Sequence, residues 1–340
     1  MSALAAAVDT ARALHTYMSF NGTRPVRSEN YRAALIRQSL ETHYYTGWRS
    51  PDKYADAAYQ RDLYAHLYGR LQCDRRRVAP WLDRARDLRG SKILEIGCGT
   101  GSSTVALSER GAQVTAIDID EGALAVAKKR CDLHGLNAHF RALNAADLGT
   151  ACEGDRFDFI IFFACLEHML LQERLDAIRA AWDLLPVGAL FVVVETPNRL
   201  WFFDEHTSQL PFFSWLPDDL AFEYSRFSPR QNFRELYGEF RDGSEEHFLR
   251  RGRGVSFHEF EVAIGPVQQF KVVSSLSSAE GLRYTLRQSK LERRYKSLLR
   301  QIYPGIHQGF LDSYLYLIIE KTHARRRPDR GGAVRFKKHS

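Results

Sequence analysis

A mainly parallel α/β sheet with helices on both faces is the fold that this 340-residue sequence predicts. Three observations predict it. From Ser91 onward, short apolar runs alternate with segments of helical periodicity. The first run, Lys92-Ile93-Leu94-Glu95-Ile96, stops at a glycine-rich turn, Gly97-Cys98-Gly99-Thr100-Gly101. The next, Val114 to Ile117, ends in a carboxylate, Asp118. Strand, glycine turn and an acid closing the second strand together build a nucleoside pocket at the carboxyl edge of a parallel sheet.

The elements follow in order. Met1 to His15 is alanine-rich but carries Asp9 and Arg12, so a helix is expected there and not a signal peptide. Residues 31–46 and 59–72 space their apolar groups helically, and Pro51 suits a first turn. Residues 1–88 are therefore expected to form a helical N-terminal cap. Its tyrosines (Tyr31, Tyr44, Tyr45, Tyr54, Tyr59, Tyr64, Tyr68) are expected mostly to pack the helices on the sheet. Within residues 89–198, strands are expected at 92–96, 113–117, 138–142, 157–163 and 189–195, with helices at 103–110, 121–134 and 172–184. Over residues 199–266 the alternation fails, and aromatics such as Trp201, Phe212 and Trp215 crowd between Pro211, Pro217 and Pro229. This stretch reads as a substrate-binding insertion or lid. Residues 267–323 complete the sheet with strands at 269–275 and 313–321. Between them one basic amphipathic helix is expected at 283–302, its Leu286, Leu291, Tyr295, Leu298 and Ile302 facing a core. Residues 324–340 read as a disordered basic tail.

A hydrophobic content of 44% suffices for a real core. The net charge of +7 is local: residues 325–340 carry five Arg and two Lys against one Asp, and residues 283–300 carry seven basic groups against Glu292. The remainder is slightly acidic, which argues against a nucleic-acid partner. Cys73, Cys98, Cys131, Cys152 and Cys165 form no C-x-x-C pair and are expected as reduced thiols. No segment approaches the roughly twenty apolar residues of a membrane span, so a soluble, cytoplasmic protein without stable membrane insertion is expected.

The turn reads G-x-G-x-G, with Ser102 where a dinucleotide fingerprint would place its third glycine, and it lacks the Lys-Ser/Thr pair of a phosphate-binding loop. A ligand without phosphate suits it. Four ordered motifs across about residues 90–198 resemble the class I S-adenosylmethionine-dependent methyltransferases. They are Glu95-Ile96-Gly97-Cys98-Gly99-Thr100-Gly101, Ala116-Ile117-Asp118-Ile119-Asp120, Phe157-Asp158-Phe159-Ile160-Ile161 with Leu166-Glu167-His168, and Leu184-Leu185-Pro186-Val187-Gly188. The resemblance implies a Rossmann-like, doubly wound seven-stranded sheet, mostly parallel, whose last strand runs antiparallel between its two predecessors. It also implies S-adenosylmethionine as methyl donor, partly covered by the leading block.

Site residues are expected accordingly. Gly97, Gly99 and Gly101 let the backbone approach the donor, and the helix after them turns its free N–H groups to the methionine carboxylate. Glu95 lies under the turn, Asp118 accepts the ribose hydroxyls, Ile119 packs on the adenine and Asn144 serves its edge. Phe163 and Ala164 pass beside the sulfonium. An alcohol acceptor must lose its proton, and His168 and His206 are the candidate bases, with His206 helped by an adjacent carboxylate. His258-Glu259 is a third pair. No metal is assigned, because no ligand pair has the i, i+4 spacing of a helical zinc site.

The tract Thr196-Pro197-Asn198-Arg199-Leu200-Trp201, running into His206-Thr207 and Leu210-Pro211-Phe212-Phe213, resembles bacterial methyltransferases of glycan and secondary-metabolite pathways. O-methylation of such a small molecule is the expected reaction. Two other readings stay open: an RNA or protein methyltransferase gripping phosphate with the basic helix and tail, and a non-catalytic module on an anionic membrane surface. The sequence carries no signal for an oligomeric state.

Overall fold

The computed structural model describes residues 27–53, 56–240 and 245–324. The helix expected near Met1, Tyr54 and the tail from Arg325 onward lie outside these residues.

Strands β1 (Lys92–Ile96), β2 (Gln113–Asp118), β3 (His139–Ala142), β4 (Phe159–Phe163), β5 (Leu190–Pro197), β6 (Lys271–Ser275) and β7 (Tyr314–Glu320) form one sheet. Its order is β3-β2-β1-β4-β5-β7-β6. The first five strands pair in parallel, and β7 runs antiparallel to both β5 and β6. This is the doubly wound arrangement expected. Central β4, Phe-Ile-Ile-Phe-Phe, is buried along its whole length, because a parallel strand covered on both faces needs apolar groups at every position. Its side chains divide by the period of two: Ile160 and Phe162 join a core with Trp182 and Phe191, whereas Phe159 and Ile161 join Trp81, Leu82 and Val105 on the other face.

Helix α1 (Arg27–His43) precedes α2, a helical run over residues 56–85 that extends past both ends of the expected segment. Two stretches of α2, Ala65–Gly69 and Asp74–Val78, take the wider π-type turn, which periodicity does not reveal. Helices α3 (Ser102–Ser108), α4 (Glu121–Leu133) and α5 (Leu171–Leu184) connect the parallel strands. Asp120 caps α4 through the Ala123 N–H.

Between β5 and β6 the described residues include the short α-helices α6 (Asp218–Ser225), α7 (Gln231–Phe240), α8 (Glu245–Leu249) and α9 (Phe257–Ala263). The aromatic stretch builds a small core of its own from Leu210, Phe213, Ala221, Phe233 and Phe248. The single basic helix expected at 283–302 is instead α11 (Leu282–Arg287) and α12 (Lys290–Ile302), preceded by α10 (Leu276–Glu280). Ser289 breaks it, capping α12 in a reciprocal box with Glu292. The expected inward face is also corrected. Leu286, Leu291, Leu298 and Ile302 are exposed, whereas Tyr295 stands against Trp201 and Phe202, and Lys296 is buried on Asp312. No helix among the described residues is long and apolar enough to cross a membrane. All five cysteines are unpaired.

Candidate active site

The glycine turn is fixed by the strands beneath it. The N–H groups of Gly97 and Cys98 donate to the Ile117 carbonyl at 2.9 and 3.2 Å, which ties the end of β1 to that of β2. Gly97 has φ +78°, and a Cβ there would lie 2.6 Å from the Cys165 Cβ. Gly101 has φ +80°, and a Cβ there would lie 2.8 Å from the backbone of Ala127 on α4. Both glycines are thus required by the protein's own packing. Only Gly99 opens on free space, so the close approach expected at all three has room at that one.

Glu95 is fully buried under the turn, where Ser103 and Thr104, in the first turn of α3, donate to its two oxygens. Burial pushes its acid up to about 7, against the pull of those hydroxyls. Asp118 bridges the next two loops. One oxygen accepts the Gly99 N–H at 2.8 Å and the other the Asp120 N–H at 3.0 Å, leaving a lone pair on each for a further donor. Burial raises its acid as well. Beside it Ile119 is an exposed apolar side chain. Asn144 is exposed, and its carbonyl oxygen caps the short helix Ala145–Asp147 at the Ala146 N–H, so its amide N–H groups are what it can offer outward.

Sequence reasoning missed the clasp over this turn. Arg49 pairs with Asp120 and stacks over Tyr44. His66 of α2 meets the Thr100 hydroxyl at 3.0 Å, and buried Arg130 donates to the carbonyls of both Thr100 and His66. Thr100 and Asp120 belong to the motifs, but Tyr44, Arg49, His66 and Arg130, which reach them, do not. Each is defined only once the leading helices are laid on the sheet.

The ends of β4 and β5 carry two non-glycine residues in left-handed conformation, Ala164 (φ +42°) and Glu195 (φ +57°). Such strain collects where a fold must aim side chains. Just after β4, the turn Leu166–His168 is held by Arg174 of α5, which donates to the carbonyls of Leu166 and Met169 and pairs with buried Glu259 at 3.1 Å. This turn brings His168 against His206 of the insertion, their ring centres 5.4 Å apart. Glu167 lies beneath both rings. Its nearer oxygen is 3.9 Å from each Nε2, and the three groups can place one ligand atom each within 4.8 Å of the others. Glu167 is fully buried, and burial pushes its acid up to about 8.

The two expected bases therefore meet, but not with the expected carboxylates. Asp204 is spent on the N–H groups of His206, Thr207 and Ser208, so the acid beside His206 is Glu167, from 39 residues earlier. The pair His258-Glu259 does not exist: His258 is exposed and faces Glu261, while Glu259 caps α9 and takes Arg174. On the β5–β7 side, a small cavity of about 10 Å³ is lined by Asn198, Trp201, Phe203, Glu205 and Tyr314 among others. Burial pushes Glu205 up to about 7 there.

Residues 93–188 match the family described as "Methyltransferase domain". Over 120 residues the chain is 36% identical to a ubiquinone biosynthesis O-methyltransferase of Haemophilus ducreyi, covering 34% of this chain and 49% of that protein. It is 35% identical over 119 residues to the protein of the same name from Pseudomonas aeruginosa, covering 35% and 50%. The chain thus spans about half the length of the curated relatives it matches. Among solved structures, magnesium protoporphyrin IX methyltransferase from Synechocystis is 21% identical over 52% of this chain and 80% of that one, with a TM-score of 0.36. With its strand order, its glycine turn and this match, residues 93–188 form a class I S-adenosylmethionine-dependent methyltransferase domain.

Proposed function

We propose that this protein transfers the methyl group of S-adenosylmethionine to a hydroxyl of a small molecule, of the kind found in glycans or secondary metabolites. The observation that carries the reading is the placement of the Glu167-His168-His206 cluster at the carboxyl ends of β4 and β5, on the same sheet edge as the Gly99–Asp118 contact. In this reading Asp118 takes the ribose hydroxyls with its remaining lone pairs, Ile119 covers one adenine face and the Asn144 amide serves its edge. Glu95 sets the turn that receives the methionine end, and Phe163 and Ala164 border the methyl group. The donor supplies a carbon already activated by the sulfonium, so the protein's part is positioning and desolvation.

The acceptor hydroxyl loses its proton at the imidazole pair as its oxygen bonds to the methyl carbon; the C–S pair returns to sulfur, leaving adenosylhomocysteine. Residues 199–266 are read as the acceptor-binding insertion, whose aromatic groups suit flat rings and the C–H faces of sugars. The matched relatives bear the name O-methyltransferase, which supports oxygen as the atom methylated.

Calorimetry with adenosylhomocysteine tests the donor half. Asp118→Ala should weaken binding by about 100-fold, the loss of two charge-assisted hydrogen bonds, while the melting temperature of the free protein changes little. Unchanged affinity removes the ribose assignment. Transfer of labelled methyl to a panel of phenols, sugars and amines then tests the acceptor half, and labelling of the amines alone removes oxygen as the target.

A further inference from the structure

We propose that Glu167, His168 and His206 form a binding site for one divalent cation of the zinc type, held by the two Nε2 atoms and a carboxylate oxygen. The hydrogen bonds behind the rings carry the argument. The Nδ1 of His168 lies 2.9 Å from the Arg250 carbonyl, which can only accept, so that nitrogen bears the proton. The Nδ1 of His206 lies 3.0 Å from the Thr207 hydroxyl, which has carbonyl acceptors at Gly252 (3.0 Å) and Arg251 (3.3 Å). With the hydroxyl donating to either carbonyl, that nitrogen donates too. Both Nε2 atoms therefore present lone pairs, and each lies 3.9 Å from the same Glu167 oxygen.

Three electron-pair donors thus converge with no hydrogen bond among them. The gap of 3.9 Å is beyond hydrogen-bond reach, and Glu167 is buried with the Thr196 hydroxyl as its neighbouring side-chain donor, in a contact too loose for a well-formed hydrogen bond. Tetrahedral zinc, bonded at about 2.0–2.1 Å, holds its ligand atoms roughly 3.3 Å apart. Closing 3.9 Å to that distance needs only small side-chain rotations.

The surroundings have the order of a built site. Carbonyl or hydroxyl groups fix the tautomer of each ring, as is usual behind metal-bound histidines. Gly252, with φ +118°, leaves no Cβ to strike the Thr207 hydroxyl at 2.6 Å and the His206 Nδ1 at 3.1 Å. The Arg253 N–H holds the Glu167 carbonyl at 3.0 Å. Glu167 is sealed below, whereas His168 and His206 are 43% and 28% exposed, so a cation here would keep an open side toward solvent. Two imidazoles, one carboxylate and an open position make a catalytic type of zinc site, not a structural one.

What the ion does rests on the methyltransferase reading; that it binds does not. With the ion in place the imidazoles are ligands and not bases. An acceptor hydroxyl on the open position is acidified by the ion, and its proton leaves to water through the open side.

The test uses the full chain, stripped of metal by a chelator and titrated with Zn²⁺ alone in a calorimeter. One equivalent should bind to the unaltered protein and to His258→Ala, which changes an exposed histidine outside the cluster. Glu167→Gln and His206→Ala should each weaken binding by about 100-fold, and Thr207→Val, which removes the group orienting His206, by about tenfold. Should the first two variants unfold, Thr207→Val and the visible absorption of Co²⁺ bound to the unaltered protein decide. Absence of saturable Zn²⁺ binding, or binding indifferent to these substitutions, overturns the site. Adenosylhomocysteine affinity, measured on the same stripped protein, reports on the donor half separately, so failure of one reading does not mimic failure of the other.

Discussion

The glycine-turn side and the imidazole side of this sheet edge are built by opposite rules. On the turn side the polar groups that set the loop are already partnered within the protein: Glu95 by two hydroxyls, Asp118 by two N–H groups, and Thr100 by His66 and Arg130. On the imidazole side the outer nitrogens are partnered and the inner atoms are not. The first side has its two acids partnered without a ligand, while its unpartnered buried atoms, such as the Ser102 hydroxyl and the His66 Nε2, are scattered. On the second the electron-pair donors of Glu167, His168 and His206 converge on one point.

Three experiments break or sharpen this contrast. The largest effect is expected from Arg174→Ala, which leaves Glu259 buried without its cation and frees the carbonyls around the Leu166–His168 turn. A loss of about 3–5 kcal/mol in denaturant unfolding is expected. A loss below about 1 kcal/mol would mean that the imidazole side does not depend on this buckle.

Next comes the pH dependence of Glu95. Its acid is held at about 7 in the folded chain, above the ordinary value of 4.5, so between those values the native state binds the proton more tightly than the unfolded state. Glu95 therefore contributes most to stability below pH 4.5, and that contribution falls as pH rises toward 7 and is flat beyond. The stability of the natural protein minus that of Glu95→Gln should decline over this window by on the order of 3 kcal/mol. A pH-independent difference would show that the carboxylate is not buried in solution.

The smallest effect is expected from Gly252→Ala. Its left-handed backbone and the crowding of Thr207 and His206 should cost about 1–3 kcal/mol, with affinity for adenosylhomocysteine unchanged. Loss of that affinity would mean that the two sides are coupled.

The legible parts of the molecule are those whose partners are near in sequence. A run of apolar residues, glycines at the turn and an acid on the next strand identify the sheet and its Asp118 edge because each signal is local. The inward face of α12 was misread because the pattern of leucines does not tell which side carries the partner, and here Lys296 with Asp312 takes that place. The sequence-adjacent pairing His258-Glu259 failed for the same reason, since α9 points the two side chains apart. His168 and His206 stood out as bases, but their meeting over Glu167 depends on a segment near residue 250 folding back from the insertion. Nothing in the order of residues announces that return.

That segment has a consequence of its own. Both rings are steered by main-chain oxygens at 250–252, directly or through Thr207, and not by the side chains there. The Arg250 side chain acts only by holding that path, through its two-pronged pairing with Glu173 of α5 at 2.7 and 2.8 Å, and a shift of the path by an ångström would turn both imidazoles at once. The insertion thus governs the two imidazoles as a template governs a casting, through the path it holds.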